Sequence, residues 1–207
     1  MLISYTISNF LSFDSKQTIS MVAGAPKKKA DHCINKGKIK ILKFAELYGA
    51  NASGKSNLIK AVAFFKKIVL EGVKTNWSNC YYRGKKDNKD KLSTFDFEFE
   101  IDNKIYTYGF DILLSKNSIR AERLYELKPE KDDILIFNRT TNGDIKLNEN
   151  YFDSDTLYRL NIYYSDIKSQ DNILFLTLMN INKDSLYEEN PCNSVIIFRK
   201  VFNWFLN

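Results

Sequence analysis

At 207 residues the chain has room for one large domain or two small ones. A hydrophobic content of 44% with 27% charged residues describes a folded globular chain, and no apolar run reaches the length of a membrane-spanning helix. A net charge of +6 permits contact with nucleic acid without demonstrating it.

The first ten residues, from Met1 to Phe10, carry no basic leader and no small-residue cleavage site, so they do not read as a secretory signal. The expected compartment is the cytoplasm. Cys33, Cys80 and Cys192 are widely spaced and form no C-x-x-C pair, and His32 is the sole histidine. A zinc site needs more ligands at shorter spacing, so His32 and Cys33 read as loop residues.

In chain order, Leu2 to Ser8 alternates apolar and polar residues and predicts a strand, as does Gln17 to Ala23. Between them lies Asn9-Phe10-Leu11-Ser12-Phe13-Asp14. Residues 24–38, with Gly24, Pro26 and the runs Lys27–Lys29 and Lys36–Lys40, predict a loop. Ile41 to Tyr48 closes as a buried strand. After it Leu58, Ile59, Val62, Phe65, Ile68 and Val69 recur at helical spacing, with Gly72 placed as a C-cap.

Residues 73–93 read as a polar, basic surface excursion in which Trp77, Tyr81 and Tyr82 lie among Arg83, Lys85 and Lys86. Such aromatics either stack on bases or, more commonly, pin a long loop to its own domain. Period-two alternation then runs through 94–148, broken at Asp102-Asn103, Pro129–Asp133 and Asn142-Gly143. It predicts an antiparallel meander with one wet face. Residues 150–168 fit no single pattern. Asn172 to Met179 predicts a buried helix, and Pro191 opens a last one containing Val195, Phe198, Val201, Phe202 and Phe205.

The motif that carries chemistry is Gly49-Ala50-Asn51-Ala52-Ser53-Gly54-Lys55-Ser56, a complete G-x-x-x-x-G-K-S between the expected strand and helix. Gly49 and Gly54 let the backbone curl around an anion, so that successive N–H groups form a nest at a helix start. Lys55 supplies a mobile charge for the β- and γ-phosphates, and the Ser56 hydroxyl supplies an oxygen for Mg²⁺.

The order of strand, N-F-x-S-F-like segment, G-x-N-x-S-G-K-S loop and antiparallel lobe resembles the ABC-type ATPase heads of the RecF, SMC and OLD group. It is most similar to bacterial AAA-type proteins related to OLD, through Tyr48 to Leu58. That resemblance implies an α/β P-loop NTPase fold spanning 1–207 as part of a head. Residues 1–71 would be its nucleotide-binding start, 94–148 its β lobe and 170–207 a helical segment. It implies ATP and Mg²⁺ as cofactors. Gly49, Ala50, Asn51, Ala52, Ser53, Gly54, Lys55, Ser56 and Asn57 would form the cradle, with Asn9 and Ser12 nearby.

The chain departs from the family pattern after the helix. No Asp-Glu pair ends an apolar strand: Asp111 sits inside the meander, and Glu188-Glu189 lies in a polar stretch. Gln170 is a distant candidate for the Q-loop. The expectation is therefore the first half of a longer ATPase, binding ATP with little turnover. A second head or a C-terminal half would supply the signature and the water-activating carboxylate, in DNA handling or phage defence. The rival reading is a nucleic-acid-binding module with the nucleotide secondary. A GTPase is disfavoured because no Asn-Lys-x-Asp string occurs.

Overall fold

The computed structural model describes residues 1–24, 30–36, 39–51, 53–181, 187 and 194–206. Its frame is a seven-stranded sheet in the order β2-β1-β5-β6-β7-β8-β9, antiparallel at every step. The strands are β1 (Leu2–Ser8), β2 (Gln17–Ser20), β5 (Ser93–Ile101), β6 (Lys104–Leu113), β7 (Ser118–Leu127), β8 (Ile134–Thr140) and β9 (Ile145–Leu147). A separate hairpin joins β3 (Cys33–Lys36) to β4 (Ile39–Leu42). The α-helices among the described residues are α1 (Lys55–Glu71), α2 (Ser154–Ile167), α3 (Phe175–Leu178) and α4 (Ile196–Leu206).

The period-two reading of 94–148 is borne out strand by strand. In β5, Phe95, Phe97 and Phe99 are buried on one face, while Thr94, Asp96 and Glu98 point to the other. The turn between β5 and β6 is Asp102-Asn103, both at positive φ (53° and 62°). That is the backbone a two-residue hairpin needs, here met by residues that tolerate it without glycine.

The apolar face of the sheet receives α1. The Phe65 ring lies 4.2 Å from that of Phe97, 5.0 Å from Phe110 and 5.0 Å from Phe205 of α4. The Phe64 ring lies tilted at 5.0 Å from both Phe10 and Phe95. Burying one such ring contributes roughly 1.5–3 kcal/mol, so this contact dominates the core.

The polar face carries cross-strand charges. Arg123 Nη1 donates to Asp111 at 2.9 Å, and its Nε donates to Asp96 at 2.9 Å. Burial pushes the Asp96 carboxyl up, against the pull of Arg123. Gly109 makes this arrangement possible, because a Cβ there would come within 2.1 Å of Asp96 Oδ1. Asp111 is thus a sheet-face carboxylate held by Arg123.

Several expectations are corrected. Within the expected loop 24–38, Cys33–Lys36 forms a strand because Ile34 pairs with Ile41. The expected strand up to Tyr48 ends at Leu42, and residues 43–50 have no regular structure. A strand buried on both faces needs neighbouring strands, and among the described residues none flanks this segment. The ambiguous stretch 150–168 contains α2, started by Asp153, whose carboxylate accepts from Thr156 N–H at 2.8 Å. The expected helix Asn172–Met179 shortens to Phe175–Leu178, since Asn172 is used elsewhere: its carbonyl accepts from Val73 N–H at 2.8 Å. Gly72 ends α1 as expected, at φ 74°. Pro191 and Glu188-Glu189 lie outside the described residues.

One buried ion pair ties the sheet to α3. Glu122 accepts from Arg139 Nε at 2.9 Å, from Tyr108 Oη at 2.8 Å, and from the N–H groups of Phe175 and Leu176 at 2.6 and 2.9 Å. Both charged side chains are fully buried. Removing one partner strands the other charge in the core, which costs far more than the pair is worth. Glu122→Ala is expected to destabilise the protein by about 3–5 kcal/mol in urea unfolding.

Two core-edge phenols set an alkaline limit. Burial pushes Tyr5 and Tyr151 up to about 12 from a usual 10.0, with Glu126 adding to Tyr151. The folded chain therefore holds these protons more tightly than the unfolded one. Their contribution to stability is complete below pH 10 and is lost as pH rises from 10 toward 12. Unfolding free energies across that window should fall, in step with tyrosinate absorbance.

Candidate nucleotide site

The phosphate-loop residues form the entrance to α1. Gly54 is the N-cap at φ 92° and ψ −1°, a left-handed backbone that only glycine adopts freely. The N–H groups of Asn57 and Leu58 both turn back to Gly54 O, at 2.9 and 3.2 Å. No side chain caps the helix, and its first turn contains no acidic residue. The positive end of the helix dipole is left for an anion from outside.

Lys55 lies folded against its own loop. Its Nζ donates to Gly49 O at 2.6 Å, to Ala50 O at 2.7 Å and to Ser53 Oγ at 3.2 Å. The three ammonium donors are thus matched by three neutral oxygens. An anionic tail offers charge-assisted bonds roughly twice as strong, so it can draw the ammonium from these partners. Gly49 is needed by this packing, since a Cβ there would come 2.9 Å from Ser53 Oγ. Ser53 and Ser56 are exposed, and Asn57 is half-buried. Asn51 is exposed, and Ala52 lies outside the described residues. The donors and the glycine geometry fit a phosphate tail, and the Ser56 hydroxyl fits a cation-binding oxygen.

The N-F-x-S-F segment divides in two. Ser12 reaches the loop, with its Oγ 2.9 Å from the position a Cβ on Gly54 would occupy. Asn9 does not. It is 4% exposed, and its Nδ2 donates to the carbonyls of Asn88 and Lys91 at 2.9 and 3.0 Å.

The other sequence candidates fall away from the loop. Gln170 Nε2 donates to Asp166 O beside the end of α2. His32 lies 3.7 Å from Asp31, and among the described residues no group of three metal-ligating side chains occurs. Two of the three aromatics singled out in 73–93 serve packing: Trp77 meets Phe64 edge-on at 5.0 Å, and Tyr81 packs on the core. Two of the basic residues are engaged internally, Lys85 with Asp14 and Lys91 with Asn88. Burial pushes the Cys80 thiol up, in keeping with an unreactive packing group.

Sequence reasoning missed the buried Glu122–Arg139 pair and the Asn88 anchor. A polar residue at an otherwise apolar position of a strand is the only sequence signal for the former, and nothing local marks the latter. Among the described residues no helix is long and apolar enough to cross a membrane.

A family model described as "AAA domain, putative AbiEii toxin, Type IV TA system" matches residues 44–186, more than half of the chain. The chain belongs to this AAA-domain family. Membership implies a P-loop-type domain and nucleotide binding. Comparison with curated proteins finds no match.

Gly54→Ala places a side chain in the left-handed region and against Ser12. It is expected to cost about 1–2 kcal/mol of stability in urea unfolding. Binding of a fluorescent ATP analogue should weaken in parallel.

Proposed function

We propose that the chain binds ATP with Mg²⁺ as the Walker A part of an ABC-type, OLD-like ATPase. The observation that carries this reading is the complete G-x-x-x-x-G-K-S at the mouth of an uncapped amphipathic helix, with Lys55 Nζ within 2.6–3.2 Å of three loop oxygens. Gly49 to Gly54 supply the backbone cradle, Lys55 the cation, and Ser56 the hydroxyl for the metal. Asn57 extends the cradle into the helix. Bound Mg²⁺ contributes neutralisation of phosphate charge.

Hydrolysis requires a carboxylate to orient water, and a second surface is proposed to bring it. The charge pattern supports this assignment, because the two Asp side chains nearest the middle of the sheet are held by Arg123 on the polar face. A second copy of the head or a C-terminal half would provide that surface together with the signature segment. The family description supports a setting in defence, which is compatible with the proposed DNA or phage context. The nucleic-acid-first reading has less behind it, since Lys85 and Lys91 are engaged within the chain.

Isothermal titration with ATP and Mg²⁺ tests the proposal. Wild type should bind, prefer ATP to GTP and show slow or no turnover. Lys55→Ala should bind at least about tenfold more weakly, the equivalent of one charge-assisted bond. Equal affinity in the two proteins would sink the reading.

A further inference from the structure

We propose that Asn9 is a positioning residue that holds Ser12 as a wall of the phosphate cradle, so that nucleotide affinity depends on a side chain far from the phosphates. This inference rests on the nucleotide reading above and adds a polar device to it.

The device is the turn Phe10-Leu11-Ser12-Phe13, which links β1 to β2. Phe10 N–H donates to Phe13 O at 3.0 Å and Phe13 N–H to Phe10 O at 2.8 Å, which closes a two-residue loop. Leu11 sits inside it at φ 49°. That region is rarely occupied by a leucine, and such backbone strain persists only where the surroundings enforce it. Three sets of contacts do so. The Phe10 ring is fully buried, 5.0 Å from Phe64 of α1 and 5.2 Å from Phe95. Leu11 N–H donates to Cys80 O at 2.7 Å. Asn9, itself at φ 49°, saturates its side chain on the excursion that follows α1.

The Asn9 contacts are unusually complete. Nδ2 donates to Asn88 O and Lys91 O, Oδ1 accepts from Tyr82 N–H at 3.2 Å, and the Asn9 carbonyl accepts from Ser93 Oγ at 2.5 Å. Asp14 at the far end of the turn is bound to Asn88 Nδ2 at 2.7 Å and to Lys85. The basic excursion thus acts as a splint for the turn. The product of this bracing is the placement of Ser12, which is exposed and whose hydroxyl has no protein partner among the described residues. That hydroxyl faces Gly54, at the start of the helix whose dipole favours an anion. A free donor braced over an anion cradle by a strained backbone is an arrangement that core closure alone does not require.

A double-mutant cycle on the intact chain tests this. Affinity for ATP with Mg²⁺ is measured by titration calorimetry in wild type, Ser12→Ala, Asn9→Ala and the double variant, with thermal midpoints measured alongside. Ser12→Ala and Asn9→Ala should each weaken binding about tenfold, and the double variant should be no weaker than Asn9→Ala alone. Additive losses would overturn the proposal. So would an Asn9→Ala protein that is less stable but binds ATP normally. If Asn9→Ala does not fold, Ser93→Ala removes a single bond to the same residue. Weakened ATP binding there supports the proposal, and unchanged affinity overturns it. ATP binding that is lost in Lys55→Ala but untouched in Ser12→Ala would overturn this inference alone. Absence of ATP binding by wild type would overturn the nucleotide reading and this inference with it.

Discussion

The packing of one face of α1 against one face of an antiparallel sheet is the constraint from which the rest of the molecule follows. Phe64 and Phe65 insert among Phe10, Phe95, Phe97 and Phe110, so the helix can neither roll nor slide without opening gaps in a close-packed aromatic layer. That lock determines where the N-terminus of α1 points. Because Phe10 belongs to the same aromatic cluster, it also determines that the turn after β1 lies beside Gly54. The phosphate loop is irregular, yet it opens directly into a helix whose Leu58 and Ala61 already belong to the buried core.

The other end of α1 is held by polar means. Thr177 Oγ1 donates to Val69 O at 2.7 Å, and Asn172 O accepts from Val73 N–H at 2.8 Å. The segment making those contacts is itself fastened by Glu122, which accepts from the first N–H groups of α3 while neutralising Arg139. A carboxylate at a helix N-terminus is favourable, and at this one it also satisfies donors that would otherwise be buried unpaired. Helix α1 is thus clamped by aromatic rings along its length and by a buried charge network behind its C-terminus.

What could be read in the sequence tracks the range of the forces involved. The β-meander was legible because alternation is a local consequence of one buried face, and 94–101 repeats it almost without fault. Helix α1 and its Gly72 cap were legible for the same reason. The strand expected before the phosphate loop was not realised: apolar residues there demand burial, but the strands that would give it are absent among the described residues. The Glu122–Arg139 pair and the Asn9 clamp were illegible because their partners lie 17 to 84 positions away. The N-F-x-S-F segment shows both limits at once. Its motif pointed to the loop, yet only Ser12 arrives there, while Asn9 became the brace.

The distribution of exposed apolar side chains gives the phosphate loop its direction. Phe44, Leu47, Tyr48 and Ile59 are 51–86% exposed and flank the loop on both sides in sequence. Among the described residues the other exposed large apolar side chains, Tyr158 at 71% and Leu206 at 56% foremost, lie far from the loop in sequence. At roughly 25 cal/mol per Å², covering several such side chains would release a few kcal/mol. That is comparable to what a charge-assisted bond from Lys55 to a phosphate contributes. Tyr48 directly precedes Gly49, whose carbonyl holds Lys55 Nζ, so exposed apolar surface and the Lys55 ammonium adjoin at this point. A surface that covers Phe44 to Tyr48 would also exclude water from the cradle and strengthen every charge interaction inside it. By linkage, docking of that surface and nucleotide binding would then reinforce one another, each gaining what it contributes to the other.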